Sequence, residues 1–299
     1  ARAVAWAATA TKAPWSGRET LVTGTPVRSF AGRDRTAARA RFGVAEGTPL
    51  LLIFGGSQRV VRFERALSGI LTELLATWQI IHIVADGLAE AESTKRQLPA
   101  DLQSRYLPQT FLHGGEMEEA LVAADLLLGR AGASTLAEAA ALGLASIAVP
   151  YPYAGGHQRA NAEALAAAGG TVLIDDADLT PERLRHELTV LADPAVRQRI
   201  GTAAASLAQP NAALQIAEAL QRVAGVAIAR DQGEGRYINV RGGPSEFSAI
   251  TIDGVSVAAP DPTTRAIDLD TIPSDIVGQL VISKTLRPDQ DADSITGAV

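Results

Sequence analysis

Cysteine is absent from the sequence, and so is any long apolar run. Without cysteine the chain forms neither a disulfide nor a cysteine metal site, and this composition fits a reducing compartment. No stretch approaches about 18 uninterrupted apolar residues, so no transmembrane helix is predicted. Residues 1–15 carry Arg2 and Lys12 but lack the ordered charged, apolar and cleavage regions of a signal peptide.

The sequence also lacks an excess of basic residues. Its 27 lysines and arginines are outnumbered by 33 acidic residues, which gives a net charge of -6 and a pI near 5.3. This balance argues against a nucleic-acid-binding surface, and we expect no nucleic-acid partner. Hydrophobic residues make up 47% of the 299 positions, enough for a core in one large or two modest domains.

The centre of the sequence predicts a strand, a tight turn and a helix. Leu126–Leu128 is a short continuous apolar run, as in a strand covered on both faces of a parallel sheet. Gly129 and Gly132 allow the backbone to turn sharply and leave space beside it. The helix is expected to begin next, with Ser134 or Thr135 as its N-cap.

Alanine, a strong helix former, dominates Leu136–Leu142, and Gly143 is placed to end the helix before a strand at Ser146–Val149. A helix N-terminus at the carboxyl edge of a sheet presents unpaired N–H groups and partial positive charge, so it can hold a phosphate. Glu138 lies about one turn into this helix, where its carboxylate can accept hydrogen bonds from both hydroxyls of a ribose. Alternatively, Glu138 only complements the helix dipole.

A second glycine loop follows the apolar run Pro49–Phe54. Gly55, Gly56, Ser57 and Gln58 separate this predicted strand from a helix expected over Val60–Leu75. Two glycines between a strand and a helix are typical of a loop that approaches phosphate. Alone the signal is weak, because glycines at strand ends often only form turns.

Strand and helix patterns alternate about six times up to residue 225. This alternation predicts an α/β fold with a doubly wound, Rossmann-like parallel sheet. In such sheets the ligand lies at the carboxyl ends of the strands, where both glycine loops fall. Further strands are predicted at Glu19–Thr23, Ile80–Ala85, Tyr106–Leu112 and Thr171–Ile174, and Thr180-Pro181 is expected to begin a helix.

The composition changes near Gly225, where alanine-rich segments give way to Gly, Pro, Asp, Ser and Thr. Short alternating runs at Tyr237–Arg241, Ala249–Ile252 and Gln279–Ile282 predict brief strands, with a hairpin turn at Asp253-Gly254. We therefore expect one domain over residues 1–226 and a small α+β segment over 227–299, which we expect to be the less ordered part.

Four motifs in order resemble the carboxy-terminal half of the MurG family, transferases that add N-acetylglucosamine to undecaprenyl-diphospho-muramoyl-pentapeptide in peptidoglycan synthesis. The resemblance covers about residues 19–225, and each motif alone is weak. The motifs are Thr23-Gly24-Thr25-Pro26-Val27-Arg28, Phe54-Gly55-Gly56-Ser57-Gln58, Gly129 to Glu138, and Val149-Pro150-Tyr151-Pro152 leading to His157-Gln158 and Asn161-Ala162.

The resemblance implies one half of a two-domain GT-B glycosyltransferase that binds UDP-N-acetylglucosamine without a metal or other cofactor. Glu138 is then expected on the ribose diol, Leu112 against uracil through its backbone, and Gln158 with His157 at the sugar hydroxyls. Ser57 and the backbone of Ala133, Ser134 and Thr135 are expected to hold the diphosphate, with Arg28 nearby. Gly56, Gln58 and Gly132 are expected among the other substrate-binding residues. An inverting transfer is implied, and the sequence has no Asp-X-Asp motif near either glycine loop.

The sequence departs from the family pattern at several positions. Arg59 stands where the family usually has glycine, and it either adds a phosphate contact or obstructs the loop. Glu64 stands for a common asparagine, and Gly156 for a common acidic residue. The motifs of the family's amino-terminal domain, with its acceptor loop, general base and membrane-docking patch, do not occur in these residues. We expect donor binding, but no turnover and no lipid-linked acceptor unless that domain is supplied.

The tail resembles the plug domain of TonB-dependent outer-membrane receptors. The resemblance covers about residues 227–299, and its motifs include Arg230 to Tyr237, Thr251-Ile252-Asp253-Gly254 and Ile272-Pro273-Ser274-Asp275. The first family acts in the cytoplasm, peripheral to the inner membrane, whereas a plug implies the outer membrane. We therefore hypothesise that the chain is a composite of two fragments. One natural transcript that encodes both fragments, each flanked by its full domains, would contradict this hypothesis.

Two alternatives to a transferase fragment stay open at this point. One is a receptor fragment in which the plug is the functional part. The other is a binder of nucleotide sugars related to UDP-N-acetylglucosamine epimerases, which product analysis with labelled donor would separate from a transferase.

Overall fold

A computed structural model describes residues 3–6, 19–56, 58–113, 115–153, 157–221, 226–231, 234–240, 244–245, 248–252, 255–256 and 297–298. The chain divides into two compact units. One is residues 27–209, and the other combines residues 1–26 with 210–299. The boundary predicted at Gly225 falls on residues outside those described and stays a prediction.

Strands and helices alternate through most of the described chain. The strands are β1 (Ala3–Trp6), β2 (Glu19–Val22), β3 (Leu50–Phe54), β4 (Gln79–Ile83), β5 (Tyr106–Gln109), β6 (Leu126–Arg130), β7 (Ala145–Val149), β8 (Val172–Leu173), β9 (Val226–Asp231), β10 (Glu234–Val240), β11 (Ser248–Ala249), β12 (Thr251–Ile252), β13 (Val255–Ser256) and β14 (Gly297–Ala298). The helices are α1 (Arg35–Arg41), α2 (Val61–Leu67), α3 (Leu71–Thr77), α4 (Leu88–Gln97), α5 (Glu116–Ala123), α6 (Ala133–Leu142), α7 (His157–Ala167), α8 (Pro181–Val190), α9 (Pro194–Ala205) and α10 (Ala212–Gln221).

Six strands form one parallel sheet in the order β5-β4-β3-β6-β7-β8. Renumbered by their order in the chain, these strands run 3-2-1-4-5-6, which is the doubly wound Rossmann order. The predicted doubly wound, Rossmann-like sheet is confirmed. The order of the strands reverses between β3 and β6, where Leu51 pairs with Leu126 and Phe54 with Gly129.

Both faces of the sheet are buried, as the continuous apolar runs predict. Successive side chains of a strand point to opposite faces. Leu51 and Ile53 pack in one cluster with α2, α3 and α8, whereas Leu50, Leu52 and Phe54 pack in a second cluster with α1 and α5. Each of these β3 residues is at most 4% exposed, and burying such a side chain contributes about 1.5–3 kcal/mol.

The helix predicted over Val60–Leu75 is wrong in one respect, because the segment forms two helices, α2 and α3. Ser68 has ψ 131°, which leaves the helical region, and Gly69 has φ +81°. An extended residue followed by a left-handed glycine interrupts the hydrogen-bond ladder. Apolar residues keep their helical spacing across the break, so only Gly69 marks it in the sequence.

The other unit contains short strands and α10. Strand β1 pairs in parallel with β2, and β9 pairs antiparallel with β10. Strands β12 and β13 pair antiparallel with Ile252 opposite Val255, as a two-residue turn requires, although Asp253 and Gly254 lie outside the described residues. The strand predicted at Gln279–Ile282 and the expectation of lower order also fall outside them. Where the structure describes the chain, no helix combines the length and apolarity needed to cross a membrane.

Candidate functional site

The reversal of strand order places both glycine loops at one edge of the sheet. One loop follows Phe54 at the end of β3, and the other follows Arg130 at the end of the adjacent β6. In open α/β sheets, ligands bind in the crevice at such a switch point. The structure thus brings Gly56 and Gln58 to the same edge as the first turn of α6.

The first loop depends on its two glycines for different reasons. A Cβ on Gly55 would lie 2.0 Å from Cγ2 of Val60 and 3.0 Å from the carbonyl oxygen of Gln58, so a side chain does not fit there. Gly56 has φ +88°, which favours glycine, and space over it is open because a Cβ would meet no atom within 4 Å. Gln58 is exposed, and Ser57 lies outside the described residues.

Helix α6 begins earlier than the sequence predicts. Its N-cap is Gly132, with φ -63° and ψ 146°, and no side chain caps it. The prediction that Ser134 or Thr135 caps the helix is therefore wrong, because both lie within its first turn. Helical N–H groups at these first positions have no partner within the helix. Ala133, Ser134 and Thr135 are half-buried residues in this first turn, and their amides consequently lie at the crevice.

The backbone conformation at position 132 does not require glycine. Its φ is one that any residue adopts, and a Cβ there would make an ordinary contact of 3.6 Å with Oγ1 of Thr135. The predicted need for a sharp glycine turn is wrong at this position. At Gly129, by contrast, a Cβ would lie 3.2 Å from the carbonyl oxygen of Phe54, closer than most real contacts.

Glu138 and Arg28, two residues selected from separate motifs, meet in the structure. Nε of Arg28 donates to Oε1 of Glu138 at 2.5 Å, and Nη1 of Arg28 lies 3.6 Å from Oε1 of Glu118. Glu138 is only 4% exposed, whereas the side chain of Arg28 is 39% exposed. The guanidinium holds the buried carboxylate in one orientation, in the second turn of α6.

Arg59 and Glu64, both departures from the family pattern, also pair with each other. Nε and Nη2 of Arg59 donate to the two oxygens of Glu64 at 2.7 and 2.8 Å, and Nη1 lies 3.7 Å from Glu90. The hydrogen bond to Glu64 raises the pKa of Arg59 above its ordinary value. The guanidinium also lies against Gly87, where a Cβ would be 2.7 Å from its carbon. Arg59 is thus bound to α2 and to the turn after β4.

An open cleft of about 630 Å³ adjoins this pair, and the residues that line it are Gln58, Arg59, Ala85, Asp86, Thr110 and Phe111. Ala85 has φ +48°, which is strained for a residue with a side chain, and its N–H donates to the carbonyl oxygen of Thr110. Strained residues of this kind concentrate at binding sites. Leu112 follows β5, which ends at Gln109 rather than at Leu112 as predicted, and its half-buried side chain packs on the core.

His82 on β4 is buried beside this cleft-lining region. Its Nδ1 lies 3.0 Å from the hydroxyl of Tyr106. Burial, and then the positive charge of Arg59, lowers the pKa of His82 to about 4. Burial also raises the pKa of Tyr106 above its ordinary value. Both side chains are therefore neutral at pH 7.

The loop after β7 carries the residues expected at a sugar. Oε1 of Gln158 accepts a hydrogen bond from the backbone N–H of Tyr151 at 2.9 Å. The rings of Tyr151 and Tyr153 are 45% and 84% exposed and meet edge to face at 5.6 Å. His157 is the first residue of α7, and its side chain lies outside the described residues.

Arg130 is a residue that the sequence analysis does not single out. Its Nη1 donates to Oδ1 of Asp176 at 2.6 Å, and its guanidinium lies over the rings of Phe63 and Tyr151. The signal was a cation at the end of an otherwise apolar strand, directly before the phosphate-type loop. Within the ranges that the structure describes, no group of three or more His, Asp or Glu is arranged to hold a metal.

Two family models match the sequence. The model of the glycosyltransferase family 28 C-terminal domain matches residues 50–220, and that of the TonB-dependent receptor plug domain matches residues 192–298. Both resemblances drawn from the motifs are confirmed by these matches. The two matches overlap over residues 192–220.

Curated relatives and one solved structure agree with the first match. A protein of Prosthecochloris aestuarii named UDP-N-acetylglucosamine--N-acetylmuramyl-(pentapeptide) pyrophosphoryl-undecaprenol N-acetylglucosamine transferase is 40% identical over 213 residues, 69% of this chain and 55% of that protein. A protein of the same name from Mycobacterium tuberculosis is 40% identical over 73% of this chain and 53% of its own length. The crystal structure of Acinetobacter baumannii MurG is 27% identical with a TM-score of 0.56, over 75% of this chain and 61% of that one. The chain spans about half the length of the curated relatives it matches.

Proposed function

The chain belongs to the glycosyltransferase family 28 C-terminal domain family, and on that basis we propose that residues 27–209 bind UDP-N-acetylglucosamine as the donor half of a MurG-like transferase. The observation that carries this proposal is the crevice at the switch point between β3 and β6. There an uncapped helix begins at Ala133, and its second turn carries a buried glutamate that an arginine orients.

Each part of the crevice corresponds to a part of the donor. The amides from Ala133 to Thr135 and the open backbone at Gly56 suit the diphosphate, because N–H groups at a helix start bind anions. The carboxylate of Glu138 suits the two ribose hydroxyls, which donate hydrogen bonds to it. Phe111 in the cleft suits the base, with Leu112 offering its backbone, and Gln158 suits the sugar.

In the proposed reaction, a hydroxyl of the acceptor attacks the anomeric carbon from the face opposite UDP, and the C–O bond to the diphosphate breaks with inversion. Negative charge develops on the leaving diphosphate. The dipole and amides of α6 are fixed before the reaction, so they stabilise this charge without reorganisation. The family resemblance implies that the base that removes the hydroxyl proton lies in the family's amino-terminal domain, so we propose that this chain alone binds donor without turnover.

The acceptor and the cellular location are parts of the same proposal. The relatives are named for transfer to a pyrophosphoryl-undecaprenol carrier. We infer that the donor half works on such a lipid-linked acceptor when an acceptor domain is supplied, in the cytoplasm and peripheral to the inner membrane.

Calorimetric titration of the chain with UDP-N-acetylglucosamine in EDTA tests the proposal. Glu138→Ala should weaken binding by about 1.5–3 kcal/mol, roughly ten- to a hundredfold, because it removes charge-assisted hydrogen bonds to the ribose. Glu187→Ala is the matched control, since Glu187 also pairs with an arginine on a helix, at 2.7 Å from Nε of Arg183. Absence of binding, or equal losses in the two variants, would contradict the proposed function.

A further inference from the structure

The side chain of Gln158 is oriented by the backbone. A backbone N–H can only donate, so the atom facing Tyr151 N at 2.9 Å is the amide oxygen of Gln158. The oxygen is therefore engaged, and the NH₂ group is what Gln158 offers to a ligand. This orientation depends on where the Tyr151 backbone lies.

Sheet pairing does not hold Tyr151, because the ladder of β7 ends at Val149 opposite Arg130. Arg130 reaches this segment instead. Its Nη1 lies 3.4 Å from the carbonyl oxygens of both Val149 and Pro150, and its guanidinium carbon lies 5.5 Å from the centre of the Tyr151 ring. The guanidinium of Arg130 thus contacts Val149, Pro150 and Tyr151, the segment that carries the backbone N–H facing Gln158.

Arg130 is itself fixed on its other side. Its side chain is 12% exposed and bonds Asp176 at 2.6 Å, and Asp176 also lies 3.3 Å from Arg62. The guanidinium carbon lies 5.3 Å from the ring centre of Phe63, which is 1% exposed. A planar guanidinium makes these contacts in several directions at once, whereas a lysine ammonium offers one point charge.

We propose that Arg130 is a positioning residue that holds the Val149–Tyr151 segment so that Gln158 presents its NH₂ group to a sugar hydroxyl of the donor. This inference rests on the proposed function. Arg130 then contributes only to the affinity that the sugar adds to that of UDP, and it does not contribute to the affinity for UDP itself.

Titrations of the full chain with UDP and with UDP-N-acetylglucosamine separate these contributions. Arg130→Lys should weaken binding of the sugar nucleotide about three- to tenfold, the equivalent of one misplaced hydrogen bond, and leave UDP affinity unchanged. In a Gln158→Ala background the same substitution should have no further effect on the sugar nucleotide. Arg183→Lys, at an exposed pair on α8, is the matched control and should change neither affinity.

Tyr151→Ala provides a second route that leaves the pair of Arg130 with Asp176 intact. It removes the ring contact but keeps the backbone N–H, so we expect a loss of the same kind, confined to the sugar nucleotide and absent in the Gln158→Ala background. Parallel losses for UDP and the sugar nucleotide, or additive effects with Gln158→Ala, would overturn the inference. If the unmodified chain binds neither ligand, the proposed function fails and this inference with it; if it binds both equally, only the role of Gln158 and Arg130 fails.

Discussion

The Arg59–Glu64 pair offers a quantitative test of how two unusual residues depend on each other. Arg59→Gly and Glu64→Asn each restore the residue usual in the family, and together they restore both. Either change alone breaks a bidentate contact of 2.7 and 2.8 Å between side chains that are 24% and 25% exposed. The destabilisation caused by the double variant should therefore be smaller than the sum of the destabilisations caused by the two single variants.

The expected coupling follows from the geometry of the pair. Exposed ion pairs contribute roughly 0.2–1 kcal/mol, whereas a bidentate contact shielded on most sides is stronger, so we expect about 1.5 kcal/mol. Arg59→Gly should cost more than Glu64→Asn for two reasons. Glycine gives the unfolded chain more conformational freedom, which costs about 0.4–1 kcal/mol, and Arg59 keeps Glu90 at 3.7 Å when Glu64 is replaced.

Urea unfolding of the four proteins gives the coupling, because the backbone effect of glycine cancels between the two backgrounds. Trp78, which is 1% exposed in the same unit, provides a fluorescence signal. The Arg183–Glu187 pair, an exposed pair four residues apart on α8, is the control and should show about 0.3–0.5 kcal/mol. A coupling between Arg59 and Glu64 no larger than that of the control would refute the reasoning.

Two further predictions concern stability. The pKa of His82 is lowered to about 4 in the folded chain, so its contribution to stability is present above pH 6.5 and is lost as the pH falls toward 4. Between pH 7 and 4.5 the wild type should lose roughly 2–3 kcal/mol more than His82→Asn, and equal losses of the two proteins in urea titrations at these pH values would contradict this. Gly201→Ala places a Cβ 2.0 Å from the carbonyl oxygen of Gly143, so it should destabilise the unit by about 2–3 kcal/mol despite alanine's better helix propensity. Thr202→Ala, at the exposed neighbouring position, should change the free energy of unfolding by no more than about 0.5 kcal/mol. Equal melting temperatures of Gly201→Ala and Thr202→Ala would contradict the prediction for Gly201.

The strands and most helices could be predicted because their signals are local. The apolar runs Pro49–Phe54 and Leu126–Leu128 predict buried strands, which the structure places at Leu50–Phe54 and Leu126–Arg130, and Thr180 caps α8 through its hydroxyl as its sequence predicts. The break at Gly69 was missed because the apolar spacing continues across it. Strand order was implied only by the family resemblance and the crevice rule, since nothing local states which strands pair.

The candidate site was predicted in its parts but not in its contacts. Glu138 and Arg28 were selected separately, yet their pairing joins residues 110 positions apart, which only the fold brings together. Arg130 and Asp176, which the sequence analysis did not select, lie 46 positions apart and are likewise brought together only by the fold. Capping was misassigned at Ser134 and Thr135, because a glycine N-cap leaves no polar side chain for the sequence pattern to detect.

The contact between Gly143 and Gly201 has a mechanical consequence for the opposite end of α6. Gly143 ends this helix in the left-handed conformation, and α9 presses directly on it through a residue with no side chain. A shift of α6 toward its C-terminus would drive a carbonyl into the backbone of α9. The contact therefore opposes axial movement of the helix whose N-terminus lies at the crevice.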